Sequence, residues 1–373
     1  MNIGIACKSF RQSGGLERYA LDIIGGLNRL GIRPVVFARS FDPALLARYD
    51  IVPQRIGVSL LPGKLRDHYF SRRVATLRKR LGVDVLIGVD RTACADIAIC
   101  GGTHRGFLQA CARAPGRADE WQIGLEAAQY RHAGKIVAHS QMMVDELRTL
   151  YDVPVEKIAL LYPPVDASRF TPGDAAQRAH LRERFGLPRD KLVFLFPSSS
   201  HERKGYAQLA EFFERTTLPV MLAVAGRPVE TSSAAIRYLG YQPNMADLYR
   251  AVDYSILASR YEPFGLIGIE SILCGTPVVL NARIACTEVL SSEACLTFDA
   301  TQPGALARAV ADAVERHAGF GMAGARELGK AIHYDPDIDR HVAALMSLLA
   351  LAKVSAFGAT ADTERGFQPR AAA

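Results

Sequence analysis

Short apolar runs alternate with stretches of helical spacing along almost the whole chain. In the first half Asn2–Cys7, Arg33–Ala38, Val83–Gly88, Asp96–Cys100, Lys135–His139 and Lys157–Leu161 read as strands. Leu16–Ile24, Leu61–Gly82, Glu120–His132 and Met142–Tyr151 read as helices between them. Tyr162–Asp166, which contains Pro163 and Pro164, reads as an extended linker because a residue before proline is pushed out of the helical region. A second series then begins. Leu192–Phe196, Val220–Ala225, Ile236–Gly240, Tyr254–Ala258 and Val278–Leu280 are its strands. Tyr206–Arg215, Met245–Ala251, Leu266–Cys274, Pro303–Ala318, Ala323–Ala331 and a last helix through Leu351 are its helices. Two such series without internal repetition predict two Rossmann-like α/β domains facing across a cleft, 1–165 and 166–335. Residues 354–373 are small and polar and read as a frayed tail.

The most informative stretch is Arg260 to Val279, R-Y-E-P-F-G-L-I-G-I-E-S-I-L-C-G-T-P-V-V. A strand ends at Ser259–Arg260–Tyr261, Pro263 suits the first turn of a helix, Gly265 keeps that turn open, and Gly275–Thr276–Pro277 stops the helix. The first-turn N–H groups have no acceptor inside a helix and, with the dipole, favour an anion. Glu262 and Glu270 stand eight positions apart around that turn, an arrangement suited to a sugar nucleotide: diphosphate at the amides, hydroxyls on the carboxylates. Ordinary surface charge is the alternative.

Other loops follow strands in the same way. Gly14–Gly15, between the first strand and the first helix, either let a ligand approach backbone amides or only make a tight turn. His104, in Gly101-Gly102-Thr103-His104-Arg105, is read as a loop residue at the carboxyl edge of a sheet, where open α/β sheets bind ligands, or as a histidine without a role. Arg203 and Lys204, in the loop Pro197–Gly205, either clamp a diphosphate or are surface charge. The D-x-D spacing at Asp335, Asp337 and Asp339 reads as capping of the last helix rather than as a metal site.

Composition narrows the class. The chain has 373 residues, 49% hydrophobic and 22% charged, an ordinary globular balance. No apolar run is long enough to span a bilayer, and Met1–Cys7 reads as a strand, not as a signal peptide. Seven scattered cysteines without a C-x-x-C pair fit reduced thiols in the cytoplasm. The net charge of +7 is uneven: residues 1–170 carry 24 Lys+Arg against 16 Asp+Glu, the rest 21 against 22. Charge alone admits nucleic acid, anionic lipid or a phosphorylated acceptor as partner of the first half. Within it, 61–82 sets seven cations against Asp67, with an apolar stripe through Leu65, Tyr69, Phe70, Val74, Leu77 and Leu81. That stretch reads either as a helix lying on an anionic membrane or as a solvated outer helix.

E-P-F-G-L-I-G-I-E resembles the E-x7-E signature of the retaining glycosyltransferase family 4, whose fold is GT-B. The likeness continues, in the family's order, at Gly14–Gly15, His104, Tyr162–Asp166 and Arg203-Lys204-Gly205, and covers roughly residues 1–350. G-G-L-E-R, A-D-I-A-I-C-G-G-T-H-R-G-F-L and the basic first half are most similar to lipopolysaccharide core glucosyltransferases. One departure is the loop after Leu192, which reads P-S-S-S where the family often has glycine.

The resemblance implies an α/β GT-B fold in which a last helix, 336–353, crosses back to the N-terminal domain. It implies that Glu262 bonds donor-sugar hydroxyls and Glu270 the ribose. Arg203 and Lys204, with the amides of Phe264, Gly265 and Leu266, neutralise the diphosphate. Gly14 and Gly15 lie near phosphates or acceptor, and His104 faces the reacting sugar. The implied partners are a nucleotide-sugar donor, such as UDP-glucose, and an anionic glycolipid or glycan acceptor. Neither nucleic acid nor a metal cofactor is expected, and the implied location is the cytoplasm, with peripheral contact at the inner membrane through 61–82. An epimerase acting on sugar nucleotides and a non-catalytic glycan-binding protein are the rival readings.

Overall fold

A computed structural model describes residues 1–12, 14–229, 232–317, 319 and 322–349. The chain forms two compact units. The first is Met1–Gln109 and Arg113–Pro164 together with the chain from Ile338; the second is Val165–Asp337 with Ala110–Ala112.

The first unit is built on seven parallel strands: β1 (Ile3–Ala6), β2 (Val35–Ala38), β3 (Val52–Arg55), β4 (Val85–Gly88), β5 (Ile97–Cys100), β6 (Lys135–Ala138) and β7 (Ile158–Leu160). Their order in the sheet is β3-β2-β1-β4-β5-β6-β7. β1, β2, β4 and β5 are buried throughout, which is why they read as continuous apolar runs. The order reverses between β1 and β4, so the loops after these strands flank a crevice at the carboxyl edge. Helix Gly15–Arg29 packs Tyr19, Ile23, Ile24 and Leu27 into the core on one face. Residues 338–349 are helical and bring Val342, Leu345 and Leu349 into that same core. Asp339 of this helix pairs with Arg29 at 2.6 Å, and a Cβ at Gly26 would stand 2.6 Å from Val342 Cγ2. The stretch beyond 349 that belongs to the expected crossing helix and tail lies outside the described residues.

The second unit has six parallel strands: β8 (Leu192–Ser198), β9 (Val220–Gly226), β10 (Ile236–Tyr238), β11 (Tyr254–Leu257), β12 (Val278–Asn281) and β13 (Cys295–Phe298). Their order, β10-β9-β8-β11-β12-β13, again reverses beside the first strand of the series. Both units are therefore Rossmann-like, the architecture that the periodicity predicts.

Several elements escaped the periodic reading, four of them because they are exposed or lie at a sheet edge. β3 reads V-P-Q-R and lies at a sheet edge, where proline is tolerated and apolar alternation is lost. β13 buries only Cys295 and Phe298. Helix Pro43–Arg48 buries no side chain, and helix Ala175–Arg184 buries only Leu181. Among the described residues no helix is long and apolar enough to cross a membrane.

Candidate active site

The carboxyl edge of the second unit gathers the charged residues singled out above. Glu262–Phe264 is not helical: Glu262 is in a β-bridge and Pro263 and Phe264 form a bend. The carbonyls of Glu262 and Phe264 accept from Ala285 N (3.2 Å) and Cys286 N (2.7 Å), and Glu262 makes a single parallel bridge to Ile284. That pairing corrects the placement of Pro263 in a first helical turn. The helix is Leu266–Leu273, and its N-cap is Gly265 at φ +95. A side chain at Gly265 would be strained by that φ and would meet Ile284 Cγ2 at 2.7 Å, so glycine is required where the chain turns from strand to helix. Leu266 and Ile267 open the helix, and their N–H groups have no acceptor within it.

Arg203 and Lys204 close a four-residue helical turn, His201–Lys204, in what the sequence presents as a loop. Its geometry is fixed from below. Gly205 follows at φ +78 and lies so close to Ala258 that a Cβ would be 2.4 Å from its carbonyl oxygen. His201 Nδ1 is hydrogen-bonded to Ser198 Oγ at 2.8 Å, and His201 Nε2 donates to the Pro228 carbonyl at 2.9 Å. A carbonyl can only accept, so Nε2 carries a proton. Ser198, in the P-S-S-S loop, thus orients His201.

Arg203 Nη1 donates to Glu262 Oε2 at 2.8 Å and to the Tyr261 carbonyl at 3.1 Å, and Arg260 N donates back to the Arg203 carbonyl at 3.1 Å. Two separate loops are thereby locked into one cluster. Lys204 is buried, and its Nζ donates to the Pro197 carbonyl at 3.0 Å. Burial holds this ammonium below its ordinary value; Glu262 and Glu270 pull the other way, and Arg203 repels it. Glu270, only 3% exposed, accepts from Tyr249 Oη at 3.0 Å. The arrangement is a half-buried Arg–Glu pair, a desolvated lysine, a second buried carboxylate and a helix N-terminus on one sheet edge.

The first unit keeps Gly14, Gly15 and His104. Gly14 caps helix Gly15–Arg29 in an extended conformation, and both glycines are exposed. His104 opens the helix His104–Ala110 and is not a loop residue, because its N–H is capped from outside by Glu126 Oε2 at 2.9 Å. Its Nε2 lies 2.7 Å from Asp119 Oδ1. Gly116 N–H and His104 hold the Asp119 carboxyl below its usual range, so Asp119 is ionised and His104 Nε2 carries the shared proton. Glu126, 2% exposed, takes Arg91 on Oε1 at 2.7 Å and the Tyr151 hydroxyl on Oε2.

Sequence reasoning missed Asp119, Glu126, Tyr249 and His201. Asp119 and Glu126 lie on helix Arg117–His132, 15 and 22 positions from His104, and no spacing rule connects them to it. Gly226 was also missed, although glycine directly after an apolar strand is a readable signal. It sits at φ +110, and a Cβ there would be 2.4 Å from the Ser198 carbonyl.

The profile of Glycosyltransferase Family 4 matches residues 13–169, and that of Glycosyl transferases group 1 matches 177–318. A probable transglycosylase of Burkholderia thailandensis is 49% identical over 94% of this chain and 97% of its own length. D-inositol 3-phosphate glycosyltransferase 1 of Catenulispora acidiphila is 27% identical over 72% of this chain and 75% of its own. Among solved structures, WaaG, a glycosyltransferase involved in lipopolysaccharide biosynthesis, superposes with a TM-score of 0.77 at 16% identity over 91% of this chain and 98% of WaaG. Anabaena HepE in complex with UDP-glucose gives 0.74 at 17% over 93% and 99%. A signature that brings Glu262 against Arg203, two Rossmann-like units, and matches to both halves lead to one assignment: the chain belongs to the family 4, group 1 glycosyltransferases and has the GT-B fold.

Proposed function

We propose that the chain transfers a hexose, with retention, from a UDP-sugar such as UDP-glucose to a lipopolysaccharide-core or other cell-surface glycan. The observation that carries this reading is the Arg203–Glu262 pair at 2.8 Å, set beside buried Lys204 and the turn into Leu266. As the glycosidic bond breaks, negative charge grows on the β-phosphate. Arg203, Lys204 and the Gly265–Leu266 amides stabilise it, and such preorganised stabilisation is usually the largest catalytic contribution. Glu262 takes the donor-sugar hydroxyls and Glu270 the ribose, while His104, oriented by Asp119, faces the reacting sugar. The chemistry requires no metal. Attack comes from the face the phosphate leaves, and the departing phosphate accepts the acceptor's proton.

Support for the donor class comes from HepE, which has been crystallised with UDP-glucose and with UDP and glucose. Support for the acceptor class comes from the likeness to WaaG and from the excess positive charge of residues 1–170. Peripheral contact with an anionic membrane is favoured by helix Gly63–Arg80. It buries Phe70, Val74 and Leu77 but leaves Leu65 and Tyr69 partly exposed, with Leu60 fully exposed just before it. Trp121, half exposed, lies beside this helix through a bond between its carbonyl and His68 Nε2 at 3.1 Å.

A thermal-shift screen with UDP-, GDP- and ADP-sugars, followed by acceptor-dependent release of the nucleoside diphosphate, tests the reading. UDP-sugars should stabilise the chain, and UDP release should require an acceptor. Turnover of a UDP-sugar without acceptor, giving only an epimer, would replace transfer by epimerisation. Product analysis by NMR should show the donor's anomeric configuration preserved.

A further inference from the structure

At the amino-terminal ends of its strands the second unit has a cavity of about 520 Å³, within the usual range for a small-molecule site. It stands where Leu192 begins β8, Asp253 precedes β11 and Pro277 precedes β12. The Arg203–Glu262 cluster lies past the other end of β8, roughly 20 Å away for seven residues at ~3.3 Å each.

The lining is strongly cationic. Arg178, Arg182, Arg189 and Lys191 face only Asp253 and Asp190, with His317 besides. Asp253 is buried and accepts from Arg178 at 2.5 Å, from Arg182 at 3.0 Å and from Val193 N at 2.7 Å. One carboxylate thus serves two guanidiniums, and its Oδ1 is also 3.7 Å from His317 Nε2. Burial lowers the Arg178 guanidinium from its ordinary value, Asp253 opposes this and Arg182 adds to it. Arg178 and Arg182 are fixed by backbone carbonyls, Arg178 by Val252 at 2.7 Å and Arg250 at 3.3 Å, Arg182 by Ala251 at 3.2 Å, Lys191 at 3.3 Å and Pro188, so they hold fixed positive charge beneath the cavity with their terminal nitrogens already engaged. Arg189 at the rim is exposed, and its side chain makes no hydrogen bond or ion pair among the described residues.

We propose that this cavity binds a phosphate-bearing small molecule, the phosphate held at the rim by the exposed Arg189 fork and by Lys191, whose Nζ donates to the Ala234 carbonyl at 3.2 Å, above the fixed charge of Arg178 and Arg182. The free guanidinium fork of Arg189 matches phosphate oxygens bidentately, and an anion here adds to the charge with which Asp253 faces two guanidiniums. The site is separate from the donor site and does not depend on the reading of the latter.

Titration of inorganic phosphate into the full chain, read by calorimetry and by thermal shift, tests it. Wild type and Arg203→Ala should bind phosphate alike at this site. Arg189→Glu/Lys191→Glu should bind at least tenfold more weakly while melting, without phosphate, as the wild type does. Should that double variant fail to fold, Arg189→Ala, which removes an exposed side chain without partners, should still weaken binding several-fold. Unchanged affinity in the rim variants, or affinity lost in Arg203→Ala, would overturn the proposal. A parallel titration with glucose 6-phosphate identifies the source: tighter binding than inorganic phosphate means an ester, weaker binding means the free anion.

Discussion

The two units have nearly the same strand order and opposite uses of charge. In the first, the cations near the sheet are matched one to one with carboxylates: Arg91 with Glu126, Arg78 with Asp96, Arg39 with Asp67. Its surplus is displayed outside, on the exposed Arg72, Arg73, Lys79 and Arg80 of helix Gly63–Arg80. The second unit is nearly neutral in total, yet it holds Lys204 buried against a carbonyl and two guanidiniums on Asp253. Net charge per half therefore misplaces the binding chemistry. A phosphate clamp needs a few desolvated, uncompensated cations at a fixed point, because interactions there are far less screened than on a surface. The large positive sum of the first unit is a surface property, whereas the small sum of the second conceals concentrated sites.

The comparison breaks most visibly at its structural side. Glu126→Gln leaves the partly exposed Arg91 without its counter-ion, and losing such a charge-assisted bond costs about 1.5–3 kcal/mol. Chemical denaturation should show that loss; a midpoint unchanged from wild type would mean that the first unit's edge is not held by matched charge. Arg203→Ala should do the reverse. Turnover should drop by about 10²–10³-fold, as when one transition-state donor is removed, while stability changes by less than about 1 kcal/mol. Full activity in this variant would take Arg203 out of the site.

Acid sharpens the contrast further. Burial lowers His341 to about 4 and His139 to about 3, both in the first unit. His341 is neutral in the fold: its Nδ1 donates to the Tyr162 carbonyl at 3.0 Å, and its Nε2 accepts from Tyr19 Oη at 2.9 Å. These folded values lie below the unfolded value near 6.5, so the unfolded chain takes up protons first. Stability is complete above pH 6.5 and falls as the pH drops from there to about 4 and beyond, by a few kcal/mol in all. Hydrogen exchange should report this loss in residues 1–109 and 113–164 before 165–337; simultaneous loss would remove the distinction. The smallest effect concerns the outer surface. Trp121→Asp with Leu60→Asp should reduce sedimentation with anionic vesicles at low salt several-fold and leave stability near wild type. Absence of binding by the wild type itself would end the membrane reading.

Much of this was legible in the sequence, for definite reasons. Strands buried on both faces read as apolar runs, and E-P-F-G-L-I-G-I-E lies in one continuous strand–turn–helix, where local spacing fixes neighbours. The pairing of Glu262 with Arg203 joins positions 59 apart and became readable only through the family resemblance. Contacts that depend on how helices pack left no local trace: Asp119 under His104, Tyr249 on Glu270, His341 on Tyr19. The helix start at Leu266 was read correctly, but Pro263 was placed in its first turn, whereas the carbonyls of Glu262 and Phe264 accept from Ala285 and Cys286, partners that proline preference cannot foresee.

The central claim is that the second unit grips a leaving diphosphate. A crystal structure with the nucleoside diphosphate picked out by the donor screen tests it most directly. The account predicts phosphate oxygens at hydrogen-bonding distance, about 3 Å, from the Arg203 guanidinium and from an N–H of the Gly265–Ile267 turn. A diphosphate bound elsewhere, with Arg203 still engaged only by Glu262 and Tyr261, would contradict it.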